Sequence, residues 1–176
     1  RYSDMVILMR TLKQHAGNYV EILRFANIPV VSDSSAGYFE TTEITDMLSL
    51  LQVLDNPRQD IPLAAVLRSP LFGISDNQLA EIKLQNSQAK DFYTLLESYA
   101  VQNPQSRIAE ILNTLENWRT LARQSSLADL IWRIYSQTDY LAFVSALPGG
   151  SQRRSNLLKL HQRAIQFEGF SSSSNI

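Results

Sequence analysis

Gly37-Tyr38-Phe39-Glu40-Thr41-Thr42-Glu43-Ile44-Thr45-Asp46-Met47-Leu48-Ser49-Leu50-Leu51-Gln52-Val53-Leu54-Asp55-Asn56-Pro57 reads as a helix with signals at both ends. Glu40 stands as N-cap with Glu43 at the third helical position, and Phe39 with Ile44 occupies the two positions of a hydrophobic staple. Met47, Leu48, Leu50, Leu51 and Leu54 continue an apolar face at helical spacing, and Asp55-Asn56-Pro57 stops it. The acids Glu40, Glu43 and Asp46 suit the first turn, where the aligned peptide dipoles favour negative charge, better than they suit a metal site.

Toward the C-terminus the same period recurs. Leu63 to Leu67 makes a helix halted at Ser69-Pro70, and Ser75-Asp76 opens another ahead of Leu79 and Ile82. Asp91 to Ala100 continues the pattern, Ile108, Ile111, Leu112 and Leu115 form a further stripe, and Leu127, Leu130, Ile131, Ile134 and Tyr135 another after Ser125-Ser126. Pro148-Gly149-Gly150 breaks the chain before a last helix marked by Leu157, Leu160, Ala164 and Phe167. The run Ser171-Ser172-Ser173-Ser174 is low in complexity and expected to be a flexible tail.

Toward the N-terminus the pattern changes. Met5-Val6-Ile7-Leu8-Met9 is a short continuous apolar run, the signature of a strand buried on both faces, and it ends at Arg10. A helix from about Lys13 to Ala26, with Tyr19, Ile22, Leu23 and Ala26 on one stripe and Asn27 as its C-terminal cap, leads to a second β-prone run, Ile28-Pro29-Val30-Val31. Strand, helix, strand predicts a parallel βαβ unit with no third strand beside it. The expected fold is therefore mainly α: a multi-helix bundle with a small N-terminal βαβ portion of an incomplete parallel sheet. Open strand edges of that kind predict swapping, dimerisation or local disorder.

With 176 residues, 44% of them hydrophobic and 19% charged, the chain has the balance of a folded soluble protein. It lacks cysteine, which excludes disulfides, thiolate nucleophiles and Cys-bound zinc together. No apolar run approaches the roughly 20 residues that span a bilayer, so the expectation is a cytoplasmic protein without membrane contact. Its six glycines are scattered, and neither a phosphate-binding loop nor a dinucleotide fingerprint is present.

No metal-ligand set is legible. His15 and His161 stand apart without the spacing of ligands, which leaves surface or packing roles for both. Glu81-Ile82-Lys83 has the acid-x-Lys form of a nuclease site, but on a helix positions i and i+2 diverge by about 200°. The net charge of −1 hides an asymmetry: up to Pro104 eight cations face twelve acids, and beyond it eight cations face five. The basic half presents either ordinary solvated helix faces or a phosphate-facing strip. Arg10, at the expected end of a parallel strand, is placed to grip phosphate oxygens, or else to pair with an acid such as Glu21 or Asp33.

In order and spacing, Val6-Ile7-Leu8-Met9-Arg10-Thr11-Leu12-Lys13-Gln14, Ile28-Pro29-Val30, Gly37 to Asp46 and Asn56-Pro57 resemble the UvrD-type superfamily 1 DNA helicases. Leu67-Arg68-Ser69-Pro70-Leu71-Phe72-Gly73-Ile74-Ser75-Asp76, and Pro148-Gly149-Gly150 ahead of Arg153, are similar to the AddA and RecB branch, the motor subunits of helicase–nucleases. The likeness extends to about Phe170 and departs at the serine run. At the helix start, Glu40 replaces the family's Asp or similar cap.

The resemblance implies a piece of an ATP-dependent DNA helicase/exonuclease of double-strand-break repair and recombination, inactive in isolation. Residues 1–58 would be part of motor domain 2A, 59–170 a helical 2B-like insertion and 171–176 a tail. Arg10 would be the motif IV arginine, reaching the γ-phosphate of ATP bound with Mg²⁺ elsewhere in the motor, neither being held by this stretch alone. Arg153, Arg154, Lys159 and Arg163 would be candidates for contact with double-stranded DNA. A second, AddB-like subunit would be a partner, and a helical module that docks this partner is the alternative role.

Overall fold

A computed structural model of the chain describes residues 1–10, 16–31, 38–85 and 90–173. After a single 3₁₀ turn at Tyr2–Asp4, nine α-helices follow among the described residues: α1 (Ala16–Phe25), α2 (Thr42–Asp55), α3 (Asp60–Arg68), α4 (Asp76–Gln85), α5 (Phe92–Gln102), α6 (Arg107–Ala122), α7 (Leu127–Thr138), α8 (Tyr140–Ala146) and α9 (Gly150–Ser173).

The expected βαβ portion is not there: among the described residues no strand forms. Met5–Met9 and Ile28–Val31 are irregular, and side chains of both runs stand in solvent, Val6 77%, Leu8 91% and Val31 93% exposed. A strand exists only as a partner in a hydrogen-bonded ladder, and a parallel pair is stable only when both faces are covered. Among the described residues nothing covers them, so the apolar run keeps its composition without the structure that composition suits. With no strands there, the open-edge route to a swapped dimer also loses its basis.

The helix between these runs does form, shorter than expected over its described part. Asn27 closes it in the left-handed region at φ 55°, with Ile28 N–H donating to Leu23 O at 2.8 Å. Its first expected residues, Lys13 to His15, lie outside the described ones.

The core belongs to the helical body. α2 packs against α3, α6 and α9; α7 and α8 both lie on α9, and α5 joins α4 to α6. Ile44, Met47, Leu50, Leu63, Leu67, Leu96, Ile111, Leu115, Ile131, Ile134 and Leu157 are all but fully enclosed. At about 25 cal/mol per Å² of apolar surface, each such side chain contributes about 1.5–3 kcal/mol. α2 is thus the central staff of the bundle.

Several helices open on a side-chain cap, those at Ser75 and Ser126 where the sequence signals them. Asp91 accepts from Thr94 N–H at 2.8 Å, Ser106 from Ala109 N–H at 3.2 Å, and Ser126 from Asp129 N–H at 3.0 Å. Ser75 and Gln78 form a capping box, Gln78 N–H donating to Ser75 Oγ at 3.3 Å and Ser75 N–H to Gln78 Oε1 at 3.2 Å.

Other boundaries differ. The N-cap of α2 is Thr41, not Glu40; its hydroxyl donates back to Tyr38 O at 2.9 Å and caps no helical amide. Asp139, left-handed at φ 51°, ends α7 and sets the next residues apart as a separate short helix, α8, that the sequence pattern does not announce. α9 runs on through Ser173, into the serine run expected to be a flexible tail. Gly150 opens α9 where a Cβ would lie 2.0 Å from Ser145 O, so only glycine lets α8 and α9 approach at this corner.

Candidate nucleic-acid interface

The four C-terminal cations expected to act together all lie on α9, but they do not share a face. At 100° per residue, Arg154 is about 140° from Lys159 and about 180° from Arg163 around the helix axis. Lys159 and Arg163, one turn apart, stay together; Arg154 points along the opposite flank.

Arg153 is engaged in the interior. Its Nη1 donates to Glu43 Oε2 at 2.7 Å, and its Nε to Pro148 O at 3.2 Å. Glu43 is only 2% exposed, and its other oxygen accepts from Asn156 Nδ2, also at 2.7 Å. The pair clamps the first turn of α2 onto α9, and both carboxylate oxygens are satisfied. Beside it Asp46 accepts from the Tyr140 hydroxyl at 2.9 Å, which ties α2 to α8. Burial raises the Asp46 carboxyl above the ordinary carboxylate value, against the lowering effect of the Tyr140 hydrogen bond. Tyr140 itself is pushed up by burial and by the neighbouring Asp46 charge.

Ahead of α2, Tyr38 and Phe39 meet edge to face, with ring centroids 5.0 Å apart at 80°. The Tyr38 hydroxyl donates to Asn156 O at 3.0 Å, which seats this ring against α9. Burial raises its pKa, partly offset by the Arg163 charge. Arg163 Cζ lies 4.7 Å from the Tyr38 centroid and 5.4 Å from that of Phe39, and Lys159 Nζ lies 5.5 Å from Tyr38. These are cation–π distances, and they fix two long, entropic side chains above one aromatic pair. Tyr38 is buried, whereas Phe39 remains 54% exposed.

This cluster of Tyr38, Phe39, Lys159 and Arg163 is the part of the candidate set that the tertiary structure gathers. Its aromatic half is not legible from sequence. In sequence Phe39 reads with Ile44 as a staple for α2, and only packing brings Tyr38 and Phe39 to a helix more than a hundred residues away.

On the other flank of α9, Trp132 of α7 lies against His161 with centroids 5.2 Å apart, and Ile165 stands exposed one turn on. Glu168 accepts from Leu127 and Ala128 N–H, anchoring the start of α7. Arg10 sits exposed at a bend directly before residues outside the described ones. Among the described residues no three His, Asp or Glu side chains converge as metal ligands, and no helix is long and apolar enough to cross a membrane. Glu81 and Lys83 are exposed on α4 to either side of the buried Ile82, as helical geometry required.

Residues 1–168 match the family described as the UvrD-like helicase C-terminal domain, and the chain belongs to that family. It is 49% identical over 170 residues to the A-type subunit of an ATP-dependent helicase/nuclease from Pelotomaculum thermopropionicum, covering 95% of this chain and 13% of that protein. Likeness to the proteins of the same name from Geobacillus thermodenitrificans and Geobacillus kaustophilus is 48% and 49%, over 97% of this chain and 14% of each of those proteins. The chain therefore spans about one seventh of the length of the relatives it matches.

Proposed function

We propose that this chain serves within an ATP-dependent DNA helicase/nuclease, in a cytoplasmic setting, as a helical body that holds DNA while the rest of the motor turns over ATP. One observation carries the DNA reading: Lys159 and Arg163 stand one turn apart, seated on Tyr38 and Phe39, with the nearby Glu43 already neutralised by Arg153. Among the described residues neither cation makes an ion pair that it would have to leave before meeting a phosphate, and phosphate contact needs no base sequence. Arg154 would add a contact on the opposite flank, and Arg153 would act chiefly by holding α9 against α2.

Within this reading residues 1–58 belong to a motor domain and 59–170 to a helical insertion. Arg10 meets the γ-phosphate of a Mg²⁺-bound ATP held by other parts of the longer protein.

Charge reversal tests the DNA contact. Lys159→Glu with Arg163→Glu, made in the full helicase/nuclease, should weaken duplex binding and lower the slope of log affinity against log salt by about 2, near 0.9 per lost phosphate contact. Affinity and slope both unchanged would remove the proposal.

A second reading rests on the other flank of α9. Trp132, His161 and Ile165 form an exposed aromatic and apolar patch edged by Arg154, of the composition that dominates protein interfaces. It fits docking of a second helicase–nuclease subunit. Salt-insensitive binding of that subunit, lost in Trp132→Ala, would favour this role.

A further inference from the structure

Away from the cations of α9, α6 and α7 border an open trough of about 670 Å³. One stripe of α6, from Arg107 to Leu121, lines its length, which at 1.5 Å per residue is about 21 Å. Phe72 and Trp118 form its floor, with ring centroids 6.0 Å apart, and Trp118 Nε1 donates across to Gln137 Oε1 of α7 at 2.6 Å. Both rings are buried, so the floor is packed before anything lies on it.

These dimensions select the shape of an occupant. Volume divided by length leaves a cross-section of about 30 Å². A helix, about 10 Å across, needs more than twice that. An extended chain, which passes its neighbours in a sheet at about 4.8 Å, fits, and about six residues at about 3.3 Å each span the trough.

The lining selects the chemistry. An extended backbone presents alternating N–H and C=O groups that need partners, and a side-chain amide offers both a donor and an acceptor. Asn117 and Gln137 are exposed along the trough; among the described residues the Gln137 oxygen is taken by Trp118, while the Gln137 NH₂ and the whole Asn117 amide are unused. Arg107, at one end, is matched by Glu110 at 3.2 Å. Arg133, one turn before Gln137 on α7, is exposed and makes no ion pair among the described residues. Asp129, a turn further back, is turned to the Ser126 hydroxyl at 2.9 Å. The trough thus carries one unmatched cation, toward the end where a four-residue connection joins α6 to α7. A carboxylate is drawn there and a cationic segment is repelled.

We propose that this trough docks an extended, acidic segment of another protein chain, about six residues long, with a carboxylate on Arg133 and its backbone on Asn117 and Gln137. Among the described residues no other stretch of this chain lies across it.

The test selects a phage-displayed library of random octapeptides on the 176-residue chain and, in parallel, on Arg133→Gln, a change at an exposed position that leaves the core untouched. Peptides recovered on the parent chain should be enriched in Asp and Glu about fivefold or more over the unselected library, and Arg133→Gln should abolish the enrichment. Trp118 and Trp132 are the chain's two tryptophans, so Trp132→Phe leaves Trp118 as the reporter. Its emission should change as the most enriched peptide is added, and Asn117→Ala should weaken that binding roughly three- to tenfold.

No enrichment, an enrichment without acidic bias, an acidic bias that survives Arg133→Gln, or unchanged Trp118 emission at saturation would each overturn the proposal. Displacement of the peptide by a blunt hairpin duplex would also overturn it and make Arg133 a phosphate contact. Dimerisation of the parent chain that is lost in Arg133→Gln would overturn it in favour of a second copy as the occupant.

Discussion

Replacing Arg153 by alanine should destabilise the fold more than replacing the glutamate it pairs with, and the asymmetry can be worked from burial. Glu43 is 2% exposed and holds two donors at 2.7 Å, one from Arg153 and one from Asn156. The Arg153 side chain is 32% exposed and can swing toward water. Arg153→Ala therefore strands a carboxylate in the interior with a single neutral donor. Breaking a buried pair from one side costs about 3–5 kcal/mol, and partial solvent screening puts this case near the low end, about 3 kcal/mol. For a chain of this size that corresponds to a fall in Tm of about 6–12 °C. Glu43→Gln removes the charge and keeps an acceptor for Asn156; Arg153 then turns outward, and the cost is about 1–2 kcal/mol.

The double variant should be at least about 1 kcal/mol better than the sum of the two, because removing the charge abolishes the penalty that Arg153→Ala exposes. Urea unfolding followed by helical circular dichroism, with linear extrapolation, measures all three. A loss below about 0.5 kcal/mol for Arg153→Ala, or strict additivity, would refute the view that Arg153 works as an interior clamp.

Two further outcomes can be checked independently. The raised carboxyl of Asp46 means that the native state holds its proton to higher pH than the unfolded chain, so this group makes stability fall as pH rises from about 3.8 through its folded value. Asp46→Asn keeps an oxygen for the Tyr140 hydroxyl and removes that penalty; urea melts should show it at least as stable as the parent chain at neutral pH, with the advantage shrinking on acidification, and a pH-independent loss would contradict this. In the full helicase/nuclease, Arg10→Ala should reduce ATP turnover by on the order of 10²-fold or more with nucleotide binding less affected, and turnover at the parent rate would exclude its phosphate role.

The helical body was legible because its signals are local. A hydroxyl or carboxylate at the right place accepts from the amide three residues on whatever surrounds it, as Ser75 and Ser126 do. The apolar stripes of α2, α6 and α7 recur at the helical period and can be buried in only one way. The N-terminal runs misled for the opposite reason. Met5–Met9 has a strand's composition, but a strand requires hydrogen-bond partners and cover that no five-residue window contains, and the described structure supplies neither. α8 escaped notice because its start depends on Asp139 entering the left-handed region, which the stripe of α7 does not signal.

Sequence alone thus settled that the chain is chiefly helical and, by resemblance, its membership of the UvrD-like helicases. Tertiary structure decided which charges are paired and which are free. Glu43 and Arg153 are 110 positions apart, and Tyr38 and Asn156 are 118 apart. Whether a cation meets an acid, an aromatic ring or water is set by which helix faces pack together, and helical period orders residues within one element without ordering the elements about each other.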